Sequence, residues 1–158
     1  MFRLDFKYSK KNLERETRKL DWANASVADL TFVFTRGRVE LWLDKENLCR
    51  NWQDCTVLDF SVCFLAIVEQ LWKAGGTELF EFTEGEGEIR FMRQGDEATL
   101  EIDYAGEPLQ SFSVQIQVLR DEARRFAKSV MEDAIKRHPE ILKNTEFRTW
   151  HPFGGTLL

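Results

Sequence analysis

The chain has 158 residues, 43% hydrophobic and 31% charged, close to the length of one domain built on one core. Twenty aromatic residues, 13 of them Phe, set against three Pro and nine Gly, exclude a disordered or low-complexity chain. Twenty-seven Asp and Glu against 22 Lys and Arg leave a net charge of −5, which disfavours attraction to phosphate backbones and so a direct nucleic-acid partner.

Phe2, Leu4, Phe6 and Tyr8 alternate with Arg3, Asp5 and Lys7, the period of a strand with one buried face. Charges within this first apolar stretch leave no uninterrupted secretory core, and the chain is expected to be cytoplasmic. Residues 9–20 are highly charged, with Leu13 and Leu20 as the large apolar residues, which fits a short surface helix or a connection. Thr31–Thr35 and Arg38–Asp44, separated by Arg36-Gly37, read as a hairpin. The odd cysteines Cys49, Cys55 and Cys63 have spacings of six and eight, unlike a compact metal-ligand set, and reduced thiols are expected.

From Val57 to Ala74, Phe60, Phe64, Ile67, Val68, Leu71 and Trp72 recur at helical spacing, and Gly75-Gly76 supplies a stop. The most apolar window, Phe60–Val68, is about half the length needed to span a bilayer, so no membrane partner is expected. Glu78–Thr83, Glu88–Arg93 and Thr99–Tyr104 read as three strands of a meander, and the alternation of Phe112, Val114, Ile116 and Val118 as another strand. Arg120–His138 carries an apolar stripe from Ala123 to Ile135 and is closed by Pro139. Residues 139–158 are expected to form a C-terminal tail anchored by Ile141, Leu142, Phe147, Trp150 and Phe153.

The order β, ββ, α, ββββ, α predicts an α+β fold in a single domain, residues 1–158. Its sheet would be predominantly antiparallel, with six to seven strands and two main helices packed mainly on one face. Strand parity then sends Glu81, Glu88, Glu101, Asp103, Gln115 and Gln117 to the uncovered face. Between Thr77 and Glu107 ten acids meet two bases, whereas residues 1–20 carry seven bases and three acids. Such a face complements a basic protein surface, with Trp42, of the same parity as Arg38 and Glu40, as an apolar anchor. The plain alternative is a solvated sheet face whose charges contribute little.

No constellation calls for catalysis. Pairs such as Glu101 with Asp103, or Glu81 with Glu101, perform acid–base work only where a pocket perturbs them, and His151 is a single imidazole in the tail. Gly-x-Ser-x-Gly, Gly-x-x-x-x-Gly-Lys-Ser/Thr and His-Glu-x-x-His are absent from the sequence. The reading therefore assigns no catalytic residue, metal or cofactor. A second reading, a small enzyme or ligand-binding domain, would place a pocket between the sheet and the helix at residues 57–74. A third, a homodimer through facing acidic sheets, meets like-charge repulsion unless Arg90 and Arg93 interleave.

Over residues 2–138, a small, acidic, Phe- and Trp-rich α+β chain with an acidic sheet face resembles the immunity proteins of bacterial polymorphic and contact-dependent toxin systems. The resemblance rests on the order of elements, without a diagnostic motif. It implies a noncatalytic protein that binds and neutralises a cognate toxin, such as a basic nuclease domain, by occluding it.

Overall fold

The computed structural model describes residues 1–11, 21–32, 35–83 and 86–150. The architecture is α+β, with two four-stranded antiparallel sheets. In the first sheet β1 (Phe2–Tyr8) pairs with β2 (Arg36–Leu43) in a register running from Phe2 opposite Leu43 to Tyr8 opposite Gly37. The two-residue strands β3 (Glu46–Asn47) and β4 (Cys55–Thr56) extend it, both against β2. The second sheet is a meander of β5 (Gly76–Glu81), β6 (Gly87–Gln94), β7 (Glu97–Tyr104) and β8 (Gln110–Gln115), in that order.

This division corrects the expectation of one sheet of six to seven strands. The predicted hairpin partner of β2 does not form: Val27–Phe32 is a short helix, α1, and β2 turns to β1 instead. A capping box starts α1. Ser26 Oγ accepts the Asp29 N–H at 3.1 Å, and the Asp29 carboxylate accepts the Ser26 N–H at 3.0 Å. Gly37 is no turn residue but lies within β2, where a Cβ would come 2.3 Å from the Lys7 carbonyl oxygen. It is the absence of a side chain that lets β1 approach.

The helix α2 (Val57–Ala74) has the predicted bounds. Thr35 organises its start. In the left-handed region at φ 59° and fully buried, Thr35 accepts the Val57 N–H on its carbonyl at 3.0 Å and the Leu58 N–H on Oγ1 at 3.1 Å. The strained backbone of a β-branched residue is thus coupled to satisfying two N–H groups that the first helical turn leaves without partners. At the other end Gly75, at φ 66°, donates its N–H to Leu71 O, and the Arg93 guanidinium covers the carbonyls of Leu71 and Trp72.

The second long helix, α3 (Ile116–Arg137), follows β8 without a loop. It begins four residues earlier than the expected Arg120, at the point where the sheet register ends with Gln115 opposite Glu97. The Glu69 carboxylate of α2 joins the two long helices by accepting from Arg120 at 3.0 Å and Arg124 at 2.5 Å, and the Arg120 guanidinium lies 4.4 Å from the Trp72 ring centre. Burial raises the Glu69 pKa, but the hydrogen bonds from Arg120 and Arg124 outweigh it and hold the carboxyl below its ordinary value.

One contiguous apolar cluster runs from Phe2 to Phe147. Residues 139–149 are no loose tail: Pro139–Lys143 forms a 3₁₀ turn and Thr145–Thr149 a short helix, α4, which bury Ile141 and Phe147. The Asn144 side chain fastens this region to the chain before α1 by donating to the carbonyls of Trp22 and Ala25 at 3.0 and 2.8 Å. Beside it, buried Trp22 stacks on His138 with ring centres 4.0 Å apart. The predicted helix at residues 9–20 lies mostly outside the described residues, as do His151 and Phe153.

Candidate protein-binding face

The inner side of the second sheet is covered by α2. Phe64 meets Phe91 at 5.2 Å and Phe60 meets Phe80 at 5.0 Å, so aromatic rings pack between this helix and the sheet. Burial of Phe80, Ile89, Phe91, Leu100 and Ile102 fixes the parity of the strands and turns the intervening residues outward.

The registers arrange those outward residues in rows across the strands. Glu81 lies opposite Glu88, and Glu88 opposite Asp103. The next row is Leu79, Arg90, Glu101 and Ser111, and the third is Thr77, Met92, Thr99 and Ser113. Four of the predicted residues, Glu81, Glu88, Glu101 and Asp103, therefore meet on one surface. Like charges directly opposite one another repel. Arg90 relieves part of this, with Nη2 3.2 Å from Glu88 and Nη1 3.9 Å from Glu101, while Glu81 and Asp103 stay exposed. Gln115 is exposed two rows away from Glu101, opposite Glu97.

Two expected members lie elsewhere. Gln117 is in the first turn of α3, where its Nε2 donates to Asp121 Oδ1 at 2.8 Å; the period-two alternation of Phe112–Val118 carried it onto a strand that had already ended. Ile116, Leu119, Ala123 and Phe126, all buried, give the helical spacing that marks the true start. Trp42 does project outward, but from the first sheet. It is half-buried in a depression with Arg3, Asp5, Lys7 and Glu40, its ring N–H 3.4 Å from Glu40 Oε2. Parity gives a side chain's face and not its sheet.

Two contributions escaped the sequence reading. Leu79, 43% exposed, and half-buried Met92 bring apolar surface to the acidic face. Glu86 joins Glu81, Glu88 and Asp103 around a depression that Phe82 also lines. Leu79 has the parity of Glu81, so its exposure was within reach of the same rule that placed the acids.

Among the described residues Cys49, Cys55 and Cys63 form no disulfide; burial, with the neighbouring Asp59 carboxylate, pushes Cys63 up to about 11, so it is protonated at neutral pH. Among the described residues no group of three or more His, Cys, Asp or Glu side chains is placed to hold a metal ion, and no helix is long and apolar enough to cross a membrane. No protein-family model, curated protein or solved structure matches the chain.

Proposed function

We propose that this chain is a noncatalytic binding protein that docks a basic protein surface on the outer face of the second sheet, as an immunity protein docks a toxin. The observation that carries the reading is the row Glu81–Glu88–Asp103 beside Glu101, four carboxylates on one face, two of them exposed and two partly so. Its like-charge opposition works against the fold, and a cationic partner would relieve it. Leu79 and Met92, rather than Trp42, supply the apolar part of the contact, and Thr99 and Ser113, hydrogen-bonded to one another at 2.8 Å, its neutral polar part.

Co-expression with the C-terminal domain of a secreted protein encoded beside this chain tests the reading. Protection of the cell and copurification are expected. The double variant Glu101→Lys/Asp103→Lys should slow association roughly tenfold at low salt, with the difference shrinking as salt is added. Full-rate binding by the variant, measured by stopped-flow mixing, would reject this face.

A further inference from the structure

Strand β5 borders the second sheet, and its outer side pairs with no described strand. Phe82 donates its N–H to Gly87 O at 3.0 Å, which makes Phe82 and Gly87 a hydrogen-bonded pair in the β5–β6 register. Because such pairs alternate along an antiparallel ladder, Phe80 and Glu78 also turn their backbone groups toward β6. Thr77, Leu79 and Glu81 must then turn theirs away from the sheet, three consecutive N–H and C=O sets along one edge.

The edge of β1 differs. On β1 the Glu122 carboxylate accepts the Leu4 N–H at 2.6 Å, Arg125 donates to Leu4 O, and the Phe6 N–H is met by Asp5 at 3.0 Å. Strand β5, Gly-Thr-Glu-Leu-Phe-Glu, has neither the Lys nor the Pro that commonly protects an edge, and it exposes a leucine at its middle.

We propose that two copies of this chain pair through β5, antiparallel about a two-fold axis at Leu79, to make a continuous eight-stranded sheet. In this register Leu79 faces Leu79 of the second copy, and Glu81 faces Thr77. All three outward residues of each strand find a hydrogen-bonding counterpart, without a like charge opposite any of them. Moving the axis to Glu78 or to Glu81 would set that glutamate against its own copy. Glu81, Glu88, Glu101 and Asp103 stay on a free face, which the pairing extends across two copies; Leu79 is the residue shared with the contact proposed above, and pairing without any partner is tested separately from that function.

Sedimentation equilibrium of the full chain without any partner tests the pairing. The mass should rise from 18.6 kDa toward twice that value between micromolar and millimolar concentration, and more readily at high salt, which screens the net charge of −5 on each copy. Leu79→Pro removes an N–H that points off the edge, where proline is tolerated, and should hold the mass at 18.6 kDa with an unchanged circular dichroism spectrum. Amide exchange on the wild-type chain supplies a second readout, with protection of Thr77, Leu79 and Glu81 appearing as concentration rises. A wild-type monomer throughout, a dimer that survives Leu79→Pro, or fast exchange at those three amides in the dimer would each overturn the proposal.

Discussion

On the solvent side of the first sheet, Arg3, Lys7 and Arg38 each have a carboxylate oxygen within 3.4 Å, whereas on the second sheet the one guanidinium of Arg90 serves Glu88 and Glu101 and leaves Glu81 and Asp103 exposed. The edges repeat the contrast. Strand β1 is closed by side chains of α3, and β5 is closed by nothing described. Opposite charges held within the molecule leave little for a partner to gain, while charges that oppose one another can be satisfied only from outside. The first sheet is thus built inward and the second outward.

If so, substitutions in the first sheet should cost stability, and the matching changes in the second should not. The largest effect is expected from Gly37→Ala, whose methyl meets the Lys7 backbone and must push β1 aside, a loss of about 3 kcal/mol in urea unfolding. Glu122→Ala comes next. It strips the Leu4 N–H of its acceptor and Arg125 of its counter-charge, and should lose about 2 kcal/mol. Asp103→Asn reverses the sign: removing one of the opposed carboxylates should gain about 0.5 kcal/mol, a gain that fades as salt is added. A loss of stability in Asp103→Asn would break the comparison.

The smallest effect is absent at neutral pH. Burial against Trp22, with the positive charge of Arg137 nearby, lowers the His138 pKa below its ordinary 6.5. The folded chain then binds fewer protons than the unfolded one below that pH, so stability is intact above 6.5 and falls as pH drops through it toward the lower folded value. His138→Phe keeps a ring on Trp22 and should flatten this acid limb in melting curves recorded between the two limits. An unchanged slope would assign the limb to other groups.

What could be read in advance follows the range of the interactions involved. The helix Val57–Ala74, its stop at Gly75 and the order of the meander from β5 to β7 depend on local periodicity and short turns and appear as expected, although β5 runs from Gly76 to Glu81 rather than from Glu78 to Thr83. The partition into two sheets depends on β1 finding β2 across some thirty residues, which no local pattern encodes. Trp42 shows the limit within one residue: alternation placed its ring outward, and only the long-range pairing decides that Arg3, not an acidic row, lies opposite. Two helix starts are nonetheless legible in the residues themselves. Ser26-Val27-Ala28-Asp29 has the spacing of a capping box, and Ile116-x-x-Leu119 already has a helix's period.

Phe82 is among the residues lining the acidic depression, and its ring meets Trp52 edge-on at 4.8 Å and Tyr104 at 5.4 Å. Tyr104 in turn accepts the Gln53 N–H at 2.9 Å, which ties the loop carrying Trp52 to the second sheet. An occupant of the depression would sit one ring away from this buried indole. Trp52 emission, isolated by replacing the other four tryptophans with Phe, would report occupancy of that surface without a label, even for a ligand too small to change the sedimentation of the chain.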